Sequence, residues 1–189
     1  TVKDAALTSL YPANDQYYGA AIWVLQKQNS SVEATGNTFN GNHAIAFNLG
    51  TGTDLDESNN TDNTKLYVAK ADADKYYYSF AEAVAAAENT VKLLFDQTGE
   101  GVVIDKDLTI DFNGKTYTVN KTVGSAGTTT LGFQILKDNN VTLKNGTLTS
   151  TAVTEGKEVK MLVQNYANLT VDNMKLVDAT DHILYVLSN

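Results

Sequence analysis

The sequence predicts an all-β chain that coils as a solenoid, and three short segments carry that prediction. Leu108-Thr109-Ile110-Asp111-Phe112-Asn113-Gly114, Val141-Thr142-Leu143-Lys144-Asn145-Gly146 and Leu169-Thr170-Val171-Asp172-Asn173 alternate apolar and polar residues and end in Asn or Asn-Gly. Alternation sends every second side chain to one face, so each segment is a strand with a buried side and a wet side. The strand starts lie 33 residues apart (108 to 141) and 28 apart (141 to 169), and Leu162-Val163 and Leu184-Tyr185 recur at 22. A constant strand with corners of variable length marks a repeat in which each copy buries its inner face against the next. Ile110, Leu143 and Val171 are therefore expected to lie in register on the inner face, flanked by Leu108, Val141 and Leu169.

The same grammar opens the chain in a looser form. Ile22-Trp23-Val24-Leu25 is followed by Val32-Glu33-Ala34, by Phe39 and by Ala44-Ile45-Ala46-Phe47, with Leu25 and Phe47 again 22 apart. Asn29, Gly36-Asn37 and Asn40-Gly41-Asn42 supply residues that tolerate positive-φ corners. The polar, acidic stretch Thr51 to Thr64 reads as a loop or boundary, and Leu66-Tyr67-Val68 restarts a strand. Residues 79–88 (SFAEAVAAAE) form the one helix expected. Ser79 caps it, Glu82 stands at the capping-box position, and Phe80, Val84 and Ala87 share a face. Val91-Lys92-Leu93-Leu94-Phe95 and Val102-Val103-Ile104 then lead into the clear repeats. A short helix just before a solenoid covers apolar side chains and strand edges that would otherwise lie open.

The run Phe80-Ala81-Glu82-Ala83-Val84, then Val91-Lys92-Leu93-Leu94, then Leu108 through Lys115 resembles the opening of pectate-lyase-like right-handed parallel β-helices. Such domains occur in large repetitive surface proteins of intestinal Gram-positive bacteria. The resemblance spans residues 76 to 189 and, more loosely, 17 to 50. It implies a right-handed parallel β-helix with one capping helix near 79–88, and no particular activity. Residues 1–70 then read as closing coils plus the acidic loop, and 71–189 as the capping helix and opening coils. They form either two tandem domains or one stacked domain.

Composition narrows the function. The net charge of −8 argues against nucleic acid, which demands a basic face. All 14 basic residues are Lys, so the guanidinium fork for bidentate carboxylate or phosphate recognition is missing. Cysteine is absent, which excludes disulfides, thiolate nucleophiles and Cys-ligated zinc. No apolar run approaches the roughly 20 residues of a membrane-spanning helix, so membrane insertion is not expected. No leader-like segment starts at Thr1, and both ends cut through apparent repeats, so the chain is expected to be an excised piece of a longer protein with tandem repeats. The six Asn-x-Ser/Thr sequons reflect an Asn- and Thr-rich chain rather than glycosylation.

Several residue groups are of the types that form sites. The lyases that the chain resembles use an Arg base, which it lacks. Hydrolysis needs carboxylates converging at roughly 5 to 10 Å. Asp54/Asp56/Glu57, Asp72/Asp74 and Asp105/Asp107/Asp111 read instead as solvated charge, the last set on the wet face if the chain stays extended. Asp54, Asp56, Asn60 and Asp62 offer oxygens for calcium, but there is neither a central Gly nor a closing Glu. His43 and His182 each precede a strand and suit corner hydrogen bonds. The aromatic residues Tyr11, Tyr17, Tyr18 and Trp23 are the candidate binding residues, because exposed Tyr and Trp anchor interfaces and stack on sugars. In Tyr76-Tyr77-Tyr78 at least one ring should face outward.

These observations lead to the expectation of a non-catalytic, cofactor-free and metal-free binding module, and the resemblance implies that it is secreted and wall-anchored on a bacterial surface. Its partner would be a host protein, immunoglobulin among them, or a glycan. A carbohydrate-active enzyme fragment and a purely structural stalk are the alternatives.

Overall fold

The computed structural model describes all residues except 10–19, 25–29, 42–44, 50–52, 65–66, 74, 126–128, 152–157, 178–183 and 189. The chain is mostly β, with one helix among the described residues. It divides into two compact units, Thr1–Tyr67 and Val68–Asn189.

The first unit contains β1 (Val2–Lys3), β2 (Ala6–Ser9), β3 (Ala20–Val24), β4 (Ser31–Thr35), β5 (Thr38–Gly41), β6 (Ile45–Leu49), β7 (Asp54–Asp56) and β8 (Thr61–Thr64). They form three parallel sheets, ordered β1-β4-β7, β2-β5-β8 and β3-β6. Each passage from the first sheet to the second turns at a left-handed residue: Asp4 (φ 50°), Gly36 (φ 67°) and Asn59 (φ 57°). Such φ values favour Gly, Asn and Asp, which is why the corners carry them. The acidic stretch expected to be a loop is therefore partly strand. Leu55, half-buried between exposed Asp54 and Asp56, pairs in parallel with Val32. Register against an existing strand overrides the low β-propensity of such a polar segment.

Inside this unit Ala34 and Phe39 are fully buried, and so is the polar Asn37. The Asn37 amide donates to the Val2 carbonyl at 3.0 Å and to Asn60 Oδ1 at 3.1 Å, and its oxygen accepts from Ala5 N–H at 3.1 Å. Asn60 donates in turn to the Ala34 carbonyl at 2.6 Å. Buried amides are tolerated when partnered in this way. Phe39 meets Phe47 edge-on with centroids 5.1 Å apart.

The second unit opens with β9 (Ala69–Ala71), β10 (Lys75–Tyr77) and α1 (Phe80–Ala86), then β11 (Thr90–Leu93), β12 (Gln97–Glu100), β13 (Val102–Ile104) and β14 (Leu108–Asp111). It continues with β15 (Thr116–Lys121), β16 (Leu131–Ile135), β17 (Asn140–Ser150), β18 (Met161–Asn165), β19 (Asn168–Leu176) and β20 (Leu184–Ser188). One sheet is mixed: β9 runs antiparallel to both β10 and β11, and the remaining pairs are parallel. Of the strand expected at Leu66-Tyr67-Val68, Leu66 lies outside the described residues, Tyr67 and Val68 are not in a strand, and β9 begins at Ala69. The long β17 pairs with β14 through its first half and β15 through its second, so the sheet curls at Asn145-Gly146. A second sheet is parallel throughout, in the order β13-β16-β18-β20.

The expected inner row is present: Ile110 pairs with Leu143, and Leu143 with Val171. Ile110 and Leu143 are fully buried, but Val171 is 43% exposed because β19 is an edge strand. Ser79 caps α1 by accepting from Glu82 N–H at 3.4 Å. Phe80 enters an aromatic cluster with Tyr117, Phe112 and Phe133, its ring centroid 4.4 Å from that of Tyr117. Burial pushes the Tyr117 phenol up, and its hydroxyl donates to the Glu100 carbonyl at 2.6 Å.

Candidate functional site

Rows of equivalent residues run across the parallel strands at right angles to the chain. Side chains in register on neighbouring strands stand about 4.8 Å apart, close enough for short polar groups to bond one another. Asn140 and Asn168 form one such row with Asp107: the Asn140 amide reaches Asp107 Oδ2 at 3.2 Å, and Asn168 donates to Asn140 Oδ1 at 3.1 Å. A second row follows the corner, where Asn145 donates to Asp111 Oδ1 at 3.3 Å and Asn173 to Asn145 Oδ1 at 3.2 Å. Asn113, Asn145 and Asn173 all have φ between 50° and 59°. Gly146 is required beside them because a Cβ there would lie 2.6 Å from the Lys115 carbonyl and against Phe112.

The bend produced at this corner forms a polar groove of about 630 Å³, lined by Asp111, Asn113, Asn145, Thr147, Asn173 and Lys175 among others. An amide carries two donors and an acceptor with two lone pairs, so the bonds along the row leave further donor and acceptor capacity on the residues that line the groove. The array is an alternation of donors and acceptors with one cation, suited to a hydroxyl-rich ligand laid across the strands.

The candidates named from the sequence fare differently. Tyr11, Tyr17, Tyr18, His43 and His182 lie outside the described residues. Trp23 stands on β3 and is 44% exposed. In the tyrosine triplet Tyr78 is 40% exposed, while Tyr76 and Tyr77 are half-buried, with Lys70 Nζ 5.4 Å from the centre of the Tyr76 ring.

The acidic candidates are dispersed over structural tasks. Asp105, Asp107 and Asp111 do not share an extended face, because β13 ends at Ile104 and β14 starts at Leu108, so the chain turns between them. Asp72 accepts from the N–H groups of Glu88, Asn89 and Thr90 at 3.0, 2.9 and 3.1 Å. Those three bonds, the one from Glu88 foremost, hold its carboxyl below the usual range. Of the proposed calcium oxygens, the Asn60 amide is committed to the backbone and to Asn37, and Asp62 accepts from Thr64 N–H at 2.9 Å. Among the described residues, no group of three His, Cys, Asp or Glu side chains converges as metal ligands, and no helix is long and apolar enough to cross a membrane.

Of the groove residues only Asp111 is a candidate from the sequence; the others leave as their sequence signal the Asn or Asn-Gly that ends each repeated segment. No protein-family model, no curated protein and no solved structure matches this chain.

Proposed function

We propose that the chain is a non-catalytic binding module of a bacterial cell-surface protein, its two units being coils of a right-handed parallel β-helix, with the corner groove as a receptor for a host glycan. The coil reading is supported by the recurring unit of strand, left-handed corner, strand and returning strand, in register from one copy to the next. The single observation that carries the binding reading is the groove itself: amide, carboxylate and hydroxyl groups repeated at strand spacing match the repeated hydroxyls of a polysaccharide. Its polarity favours a neutral sugar chain over an apolar ligand, and the exposed Lys175 in its lining would accept a single acidic substituent.

A host protein, with immunoglobulin as one example, is the second reading. The 44% exposure of Trp23 favours it, since Trp is enriched among the residues that anchor protein interfaces. Location outside the cell, anchored to the wall, follows from the resemblance and belongs to the same proposal.

The test is a glycan array followed by calorimetry with the best binder. Thr147→Val combined with Lys175→Ala should weaken binding about tenfold, or about 1.4 kcal/mol, with the melting temperature unchanged, while Trp23→Ala should leave glycan affinity intact. Loss of binding through Trp23 alone would move the site to the second reading, and absence of any binding would leave a stalk.

A further inference from the structure

We infer that the glycan carries an acidic sugar beside its neutral stretch, and that Lys92 and Lys144 receive its singly charged carboxylate or sulfate ester in a depression next to the corner groove. The inference rests on the glycan reading above and adds a subsite to it.

Strands β11, β14 and β17 bury Val91, Leu108, Ile110, Val141 and Leu143, so the residues between them lie on the outer face. Register sets those residues in two rows, Thr90–Thr109–Thr142 and Lys92–Asp111–Lys144. Lys70 of β9 extends the second row, directly opposite Lys92. Where the two rows meet β9 there is a depression of about 260 Å³, lined by the three lysines, Asp72, Asp111 and the hydroxyls of Thr90 and Thr109. That volume falls below the roughly 300–1,000 Å³ of sites for drug-sized molecules, and it suits one sugar unit.

Two features of the row are not those of a sheet built for stability alone. Like charges directly opposite each other weaken a sheet, yet Lys70 faces Lys92 where an acid would strengthen the pair. The Lys70 ammonium lies 5.4 Å from the ring centre of Tyr76, the residue opposite it on β10. Further along, Lys92 and Lys144 flank Asp111, and Lys144 also pairs with Asp172. Among the described residues, however, neither of these two ammonium groups comes within ion-pair distance of a carboxylate. The acids that line the depression are engaged elsewhere. Asp111 Oδ1 accepts from Asn113 N–H at 2.8 Å and from the Asn145 amide at 3.3 Å, and Asp72 accepts its three backbone N–H groups.

The Cα atoms of Lys92 and Lys144 stand two strand spacings apart, about 9.6 Å, a gap that two lysine side chains close around one anion. Thr90 and Thr109, in the neighbouring row, can donate to its remaining oxygens. Three lysines against two aspartates leave the depression one net positive charge, in a chain whose net charge is −8. A monoanion matches that charge, whereas Asp111 opposes the second charge of a phosphate ester. Lysine holds an anion as a point charge without the planar fork of arginine, so carboxylate and sulfate ester are both admitted. Asp111 lines the groove as well as the depression, so one sugar chain can occupy both.

The test is an NMR titration of the whole chain with sodium glucuronate, with glucose 6-sulfate and with glucose as the neutral control. The anions should shift the backbone amides of Thr90, Lys92, Thr109 and Lys144, and glucose should not; a response to one anion alone would name the acidic group. Lys92→Gln with Lys144→Gln should weaken anion binding about tenfold with the melting temperature unchanged, and Lys137→Gln, at an exposed lysine elsewhere, should change nothing. Asp111→Asn keeps the accepting oxygen and removes the opposing charge, so it should tighten binding. Raising salt from about 0.05 to 0.5 M should weaken it. Shifts spread evenly over all lysines, no shift with either anion, or a double variant that melts earlier yet binds normally would overturn the inference. Glucose shifts at Asn145 and Asn173 without anion shifts at Lys92 and Lys144 would overturn it while keeping the groove; the reverse pattern would keep the subsite and remove the groove.

Discussion

At the scale of single residues, short polar side chains tie together chain segments that are far apart in sequence. Asn37 ties three backbone or amide groups together inside the first unit, and Asp72 gathers the three N–H groups that follow the helix. A fully accepted carboxylate has a depressed pKa, so it contributes stability above the unfolded value of about 3.9. That contribution disappears as the pH falls through the lower folded value. Asp72→Asn should therefore lower the melting temperature at neutral pH, and the variant and wild-type melting temperatures should converge as pH drops below about 4. Parallel curves across the acid range would show that Asp72 does not hold the chain there. The sequence marked Asp72 only as a member of an acidic pair, because three backbone donors reaching one carboxylate are a product of folding with no local signature.

At the scale of elements, α1 closes one end of the second unit through a single large side chain. Phe80 is buried and touches Tyr117, Phe112 and Phe133. Phe80→Ala should cost about 3–5 kcal/mol, read as a lower denaturation midpoint; a loss below about 1 kcal/mol would mean that the helix rests on the sheet without plugging it. This element was legible in the sequence, since Ser79, Glu82 and the alanine-rich body are local signals. The strands at 108–111 and 140–144 were legible for the same reason, their alternation being strong. β7 and β8 were not: Asp54 to Thr64 is acidic and Asn-rich, and only pairing with β4 and β5 makes strands of it. The antiparallel turn of β9 and β10 also left no trace, because short Lys- and Ala-containing segments have no preferred direction of pairing.

At the scale of the whole molecule, both units repeat one plan of strand, left-handed corner and strand, and the repeat was legible from the spacing of Asn-Gly endings. What spacing could not convey is which copies are outermost. Val171 and Leu143 occupy equivalent places in the sequence pattern, yet one is 43% exposed and the other fully buried, because burial depends on a neighbour that the pattern does not name. The groove was hidden for a related reason: Asp111, Asn145 and Asn173 lie 34 and 28 residues apart, and only the register brings them together. Everything proposed for this protein stands on that register.

The absence of cysteine permits its direct measurement. Thr109 pairs with Thr142, and Thr142 with Thr170, across parallel neighbours, so their Cα atoms should stand about 4.8 Å apart, whereas Thr109 and Thr170 should be separated by about 9.6 Å. A disulfide requires roughly 4.4–6.8 Å between Cα atoms. Under mild oxidation the double variants Thr109→Cys/Thr142→Cys and Thr142→Cys/Thr170→Cys should each close an internal disulfide, and Thr109→Cys/Thr170→Cys should not. Closure of the last pair, or failure of both neighbouring pairs in folded protein, would contradict the register and with it the rows and the groove.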